Sequence, residues 1–189
     1  MKVYIVRHGE SQNNKDGLWT GWFDAPLTEK GREDAAQAFE LLSKTKFDKI
    51  YSSDLSRAKS TAEIAIPGCF YETSELLREI NVGELAGTPI KLVDDNQKKA
   101  FGKKGYIDVG GESRDAFRVR VSEFMKKLEL LDCENVAVFC HGGWLRIFLD
   151  TVIGLDLPRK NICCNNCTVA IFEYVDSVWR LHSWINLDR

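Results

Sequence analysis

Short apolar runs alternate with longer stretches of helical periodicity, which predicts an α/β fold: three layers, α/β/α, around a mostly parallel central sheet. Two observations carry this expectation. Val136-Ala137-Val138-Phe139-Cys140 is apolar on both alternating faces, as a central strand covered by helices on each side must be. Phe117, Val121, Phe124, Leu128 and Leu131 step by four and three, the most regular amphipathic pattern in the chain. The size agrees, because 189 residues with 44% hydrophobic and 29% charged side chains suit one compact domain over residues 1–189.

Taken in order, residues 2–6 and 47–51 read as strands. The first helix is expected to begin near Thr28, with Ala35, Phe39 and Leu42 along its inward face. A second follows Ser53 or Asp54 as N-cap and turns Ala58, Ala62 and Ala65 inward. Residues 88–111 break the rhythm with four glycines, Lys98-Lys99 and Lys103-Lys104, and read as an insertion or lid made of a short helix and a loop. Ser113 is placed to cap the third helix, and residues 145–153 form a fourth, more buried one. Residues 169–174 and 178–181 are late strands joined by a turn at Asp176-Ser177.

Charge and composition narrow the function. Twenty-six basic against twenty-eight acidic residues give a net charge of −2, which argues against a nucleic-acid binder. No run of about eighteen apolar residues is available to span a membrane. The opening Met1-Lys2-Val3-Tyr4-Ile5-Val6 is too short for the core of a secretory signal, so a cytoplasmic location is expected. Of six cysteines, Cys163, Cys164 and Cys167 include a Cys-x-x-Cys spacing, but no second pair completes a four-ligand zinc site. Reduced structural thiols are therefore expected, with no metal and no cofactor.

The chemistry collects after three strands. Arg7-His8-Gly9-Glu10 follows the first directly, His141-Gly142 follows the Val136-to-Cys140 strand, and Arg57 lies in the first turn after the 47–51 strand. Ligands of open α/β sheets bind at this carboxyl edge. Two arginine forks match the spread of phosphate oxygens, and an imidazole can attack phosphorus or donate a hydrogen bond. His182, the third histidine, has nothing paired with it and is expected to face solvent or serve structure. Lys98, Lys99, Lys103 and Lys104 read as a solvated face; a sharper alternative puts them over the pocket, favouring a substrate with a second anionic group. Trp19, Trp22 and Trp144 flank these segments as candidate stacking surfaces, or in the case of Trp144 as a core anchor.

Arg7-His8-Gly9-Glu10-Ser11 with Asn14 resembles the signature of the histidine phosphatase superfamily, in its phosphoglycerate-mutase-like branch. Further matches run in order along the chain. They are the stretch from Thr20-Gly21-Trp22 to Leu27-Thr28 with Gly31, then Tyr51-Ser52-Ser53-Asp54-Leu55-Ser56-Arg57-Ala58, then Leu77-Arg78-Glu79-Ile80 with Gly83 and Gly87. Gly111-Glu112-Ser113 with Arg120, and His141-Gly142, complete the set. The resemblance implies a phosphoglycerate-mutase-like sandwich and a covalent phosphohistidine on His8, oriented through its other ring nitrogen by a backbone carbonyl. It implies that Arg7, Arg57 and His141 surround the phosphoryl oxygens, and that Glu79 is general acid and base. Asn14, Thr20, Gly21 and the Gly142 N–H are further candidates for substrate contact.

The implied function is a phosphomonoesterase acting on a small phosphate ester, independent of nucleic acid and membrane; a homodimer is compatible with it. A cofactor-dependent phosphoglycerate mutase is the first alternative, although only about thirty residues separate Glu79 from Gly111 where the family's mutases carry a longer basic insertion. An inert phosphoester-binding scaffold is the second, and the intact set of Arg7, His8, Arg57, Glu79 and His141 argues against it. Ala86 stands where many of the family's phosphatases have a glutamate, a departure that bears on substrate preference.

Overall fold

The computed structural model describes residues 1–157 and 161–187. The chain enters at β1 (Lys2–Arg7), makes the short helix α1 (Gln12–Lys15), and continues into α2 (Glu29–Leu42), β2 (Lys49–Ser52), α3 (Ser56–Ala65) and β3 (Glu72–Thr73). A run of 3₁₀ turns leads to α4 (Asp95–Lys104) and α5 (Arg114–Glu129), followed by β4 (Asn135–Cys140), α6 (Gly142–Ile153), β5 (Val169–Val175) and β6 (Val178–Ile185). The sheet order is β3-β2-β4-β1-β5-β6. The first four strands in that order are mutually parallel, while β5 and β6 are antiparallel additions at one edge.

Both faces of the sheet are buried, and the period-2 alternation of the strands says which residue goes where. Val3, Ile5, Val136, Val138 and Cys140 pack under α5 and α6, against Val121, Phe124, Leu128, Leu145 and Phe148. Val6, Ala137 and Phe139 point the other way, against Ala38 and Leu42 of α2 and Ala62 and Ala65 of α3. The α/β/α layering and the mostly parallel sheet are as the sequence predicts. Ser113 caps α5 by accepting from the Ala116 N–H at 3.0 Å, and Thr28 caps α2 by accepting from Gly31 N–H at 3.0 Å. Asp176 and Ser177, with φ of 52° and 61°, take the left-handed pair of conformations that closes a two-residue hairpin. No helix among the described residues is long and apolar enough to cross a membrane.

Four local expectations need correcting. Phe39 is 43% exposed, and Ala38 takes the inward position instead, because a small side chain lets α2 lie close to the sheet. Neither Ser53 nor Asp54 caps α3. Leu55 holds the N-cap position, and the carboxylate of Asp24 reaches in to accept from the Ser56 N–H at 2.8 Å. That frees Ser53 for His141 and Asp54 for an ion pair with Arg78, whose Nε lies 2.9 Å from Oδ1. Helix α6 starts at Gly142, three residues earlier than its apolar pattern suggests, because two glycines carry no hydrophobic signal. Strand β2 is displaced toward its carboxyl end, and β6 runs on to Ile185. The short α1 and β3 carry no periodic signal that sequence could show. Residues 88–111 do contain one regular helix, α4, which opens on a capping box between Asp94 and Gln97.

The loop after β1 and the first turn of α2 touch backbone to backbone. A Cβ on Gly9 would stand 2.2 Å from the Gly31 carbonyl oxygen, and one on Gly31 would stand 2.0 Å from that of Glu10. Neither pair can separate without moving the residue between β1 and Gly9, which is His8. Gly31→Ala therefore lowers stability by about 1–3 kcal/mol through overpacking, although alanine favours a helix. Gly102→Ala in α4, where a Cβ meets nothing within 4 Å, is neutral or stabilising by up to about 1 kcal/mol. Urea denaturation of the two variants checks the contrast, and equal effects would contradict it.

Candidate active site at the carboxyl edge of the sheet

His8 leaves the end of β1 and is 4% exposed. Its backbone continues the sheet for one more step, with its N–H donating to Cys140 O at 3.0 Å and its carbonyl accepting from Cys167 N–H at 3.3 Å. Its ring Nδ1 lies 2.7 Å from the Gly9 carbonyl oxygen, which can only accept, so the proton is assigned to Nδ1 and the lone pair to Nε2. The orienting backbone carbonyl that sequence could not name is therefore that of Gly9. The Gly9 N–H donates to Thr61 Oγ1 at 3.0 Å, and that hydroxyl donates to Arg57 O at 2.7 Å, so loop and helix are tied together.

Arg57, from the first turn of α3, is 1% exposed. It donates to the Phe23 carbonyl at 2.9 Å, to the Gly21 carbonyl at 2.8 Å and, through Nε, to His8 Nε2 at 3.3 Å. Burial pushes its pKa down to about 10, which still leaves it a cation at neutral pH. Arg7 donates to the Cys164 carbonyl, and its Nε is buried without a partner. Burial first, and then the guanidinium groups of Arg57 and Arg7, hold His8 well below the ordinary imidazole value.

His141 is fully buried, its ring edge-on to His8 with centroids 5.1 Å apart. Its Nε2 sits 2.9 Å from Ser53 Oγ, and Nδ1 has no partner. Ser53 Oγ already accepts from Leu55 N–H at 3.4 Å, so its hydroxyl is free to donate to Nε2, and the imidazole proton is assigned to Nδ1. Burial, then Arg57, His8 and Arg7, lower this imidazole too.

Glu79 closes the opposite side. Its Oε2 accepts from Gly143 N–H at 2.8 Å and its Oε1 from Ile80 N–H at 2.9 Å. Its carbonyl accepts from Trp22 Nε1 at 2.7 Å and from Arg120 at 3.0 Å. Arg120 also donates to the Leu76 and Arg78 carbonyls and is itself held by Glu112, so the whole segment bearing Glu79 is pinned from α5. A Cβ on Gly143 would stand 2.2 Å from Glu79 Oε1, so only glycine lets the carboxylate reach this helix N-terminus.

Arg7, His8, Asn14, Thr20, Gly21, Arg57 and Glu79 line one cavity of about 180 Å³. His141 packs edge-on to His8 beside it, and Gly142 packs beside the Arg7 guanidinium. Asn14 Oδ1 accepts from Ser11 N–H and Asn166 Nδ2, and Gly21 serves through its carbonyl on Arg57. Sequence reasoning misses five lining residues of this site: Gly143, Arg146, Tyr106, Leu18 and Val82. Gly143, Arg146 and Asp150 fall on one face of an otherwise apolar helix at spacings of three and four, a signal that could have found the first two.

The remaining candidates sort themselves. Trp144 is a core residue, 0% exposed, with Nε1 donating to Leu76 O at 2.8 Å; Trp19 lines the cavity; Trp22 holds the Glu79 backbone. His182 is exposed on β6. The backbone of the cysteine-rich segment braces the site, since Cys164 O receives Arg7 and Cys167 N–H reaches His8. No cluster of three or more metal-ligating side chains occurs among the described residues.

Known proteins share this architecture. The model of the histidine phosphatase superfamily, branch 1, matches residues 3–187. The "Probable phosphoglycerate mutase GpmB" of Salmonella paratyphi A is 31% identical over 98% of this chain and 90% of that protein. The phosphoglycerate mutase structure from Thermus thermophilus superposes with a TM-score of 0.76 at 32% identity, covering 100% of both chains. The alpha-ribazole phosphatase of Shigella flexneri shares the fold, with a TM-score of 0.86 over 100% of both chains at 24% identity. The chain thus belongs to branch 1 of the histidine phosphatase superfamily.

Proposed function

We propose that this protein is a phosphomonoesterase that hydrolyses a small phosphate ester through a phosphohistidine on His8, without metal or cofactor. The observation that carries the reading is the convergence, on one cavity, of a buried imidazole oriented through Nδ1, the three guanidinium groups of Arg7, Arg57 and Arg146, and a carboxylate. Buried donors without partners at the site, Arg7 Nε, Trp19 Nε1 and His141 Nδ1, support it, since buried polar atoms are rarely left unpaired.

The substrate phosphoryl oxygens displace the long 3.3 Å contact of Arg57 Nε on His8 Nε2 and take that donor for themselves. His8 Nε2 then attacks phosphorus, forming the N–P bond as the P–O bond to the alcohol breaks. Glu79 delivers a proton to the departing oxygen, and its carboxylate then accepts a proton from the water that attacks phosphorus as the N–P bond breaks. Arg7, Arg57 and the His141 Nδ1–H stabilise the charge that spreads over the equatorial oxygens. The Gly9 carbonyl stabilises the cationic phosphoimidazole through Nδ1–H.

Relatives of 31–32% identity named as phosphoglycerate mutases favour a second reading, transfer back to a phosphoglycerate. One assay set separates the two. Purified protein receives p-nitrophenyl phosphate, an alkyl phosphate, and 3-phosphoglycerate with and without 2,3-bisphosphoglycerate. Phosphate release exceeding phosphoglycerate interconversion is the expected result; the reverse favours the mutase, and no turnover of any substrate defeats both.

His8→Ala removes at least about 10³-fold of kcat/KM. Glu79→Gln costs about 10²–10⁴-fold with the alkyl phosphate and much less with p-nitrophenyl phosphate, whose leaving group needs no proton. Equal losses on both would remove Glu79 as general acid.

Because His8 and His141 are held below the ordinary imidazole value, kcat/KM shows no histidine inflection near pH 6.5 and falls only at more acidic pH. Stability has the matching sign. The unfolded chain binds protons at these positions from about pH 6.5 downward while the folded one does not, so stability present above that pH is lost below it. The slope approaches about 1.4 kcal/mol per pH unit for each histidine that stays neutral. Melting curves between pH 7.5 and 5 check this, and a flat profile would contradict it.

A further inference from the structure

A second cavity, of about 450 Å³, opens beside the first between α4, α5 and α6. The two share Ile80, Gly143 and Arg146, so they adjoin at Ile80 and the first turns of α6. Its walls are apolar, formed by Phe101, Phe117, Ile147, Leu157 and Ile162. Lys99 and Lys103 line it as well, and neither has a carboxylate within ion-pair distance among the described residues. Lys98, by contrast, pairs with Asp95 at 3.3 Å, so the four lysines of this segment are not equivalent. Arg114 is already engaged by Asp150 and Asp156.

Size separates the roles of the two cavities. About 180 Å³ holds a phosphoryl group and a few atoms more, and falls below the range of about 300–1,000 Å³ usual for organic ligands. The second cavity lies inside that range and has the usual make-up, a mostly apolar lining with a few charged groups. An ester whose phosphorus sits at His8 can extend only past Ile80, Gly143 and Arg146 to reach it.

We propose that this groove between α4, α5 and α6 seats the alcohol part of the substrate, and that the substrate class is an elongated phosphomonoester with an apolar body and an anionic group at its far end. The inference rests on the phosphatase reading for its orientation, but the groove itself is tested by binding. The shared residues set the direction: phosphate against His8, apolar body against Phe101, Phe117 and Ile147, anionic end toward Lys99 and Lys103. A short phosphate ester leaves the groove empty and gains nothing from it.

Calorimetry with non-hydrolysable phosphonates tests the groove apart from turnover. Octylphosphonate binds roughly tenfold or more tightly than methylphosphonate, since several methylenes leave water. Gly102→Phe, which fills the groove from a helix position where a Cβ meets nothing within 4 Å, removes most of that ratio. A carboxylate at the far end of the octyl chain improves binding further, and Lys99→Gln with Lys103→Gln abolishes that increment but not the effect of chain length. Melting curves establish that the variants fold, and the chain-length ratio in the unaltered protein needs no variant. Equal affinity for methyl- and octylphosphonate, or an octyl advantage that survives Gly102→Phe, overturns the groove; a carboxylate increment that survives loss of both lysines overturns the anionic end. A chain-length effect on binding in a protein that hydrolyses no phosphate ester upholds the groove and defeats the phosphatase reading alone.

Discussion

The hydrogen bond from His8 Nδ1–H to the Gly9 carbonyl, 2.7 Å long, decides which nitrogen faces the cavity, and much of the surrounding chain is arranged to hold it there. A carbonyl one residue away can meet its own neighbour's ring only if the backbone takes a fixed turn. That turn is held by the contact of Gly9 with Gly31, by Thr61 on the Gly9 N–H, and by sheet bonding on both sides of His8. The result is a nucleophile whose orientation is set before any ligand arrives, which is how positioning contributes to rate without entropy lost at the moment of reaction.

Electrostatics follow from the same burial. Arg57 and His8 are almost completely removed from water, and a cation beside an imidazole in such a place keeps the imidazole neutral. The cation itself is retained because two carbonyls, from Phe23 and Gly21, accept its remaining donors. Opposite, Glu79 is anchored by two backbone N–H groups and by the Trp22 and Arg120 donors on its carbonyl. A chain of net charge −2 thus presents a concentrated cationic pocket with one fixed carboxylate at its wall.

The layers of the fold and the convergence of Arg7, His8, Arg57 and Glu79 were legible in the sequence, because strand alternation, helix periodicity and strand-end position follow from local geometry, and the family resemblance supplied Glu79. What was not legible depends on contacts between distant segments. That Asp24 rather than Ser53 caps α3 turns on a loop folding back across about thirty residues of chain. Phe39 looks inward by spacing alone, yet the close approach of α2 to the sheet admits alanine there and not a ring. His141 packs edge-on to His8 and is held at Nε2 by Ser53, 88 residues away in the chain, a pairing that no local pattern displays. The importance of Gly143 is the space it leaves for Glu79, a contact made with a carboxylate 64 residues away in the chain.

The central claim is a covalent bond between His8 Nε2 and phosphorus. Rapid-quench trapping with a ³²P-labelled phosphate ester, in the Glu79→Gln protein where breakdown is slowed, tests it most directly. A label stable in alkali, labile in acid, and recovered on the peptide containing His8 is the result this account predicts. Turnover with no label on any peptide, or label on a peptide that lacks His8, would contradict it.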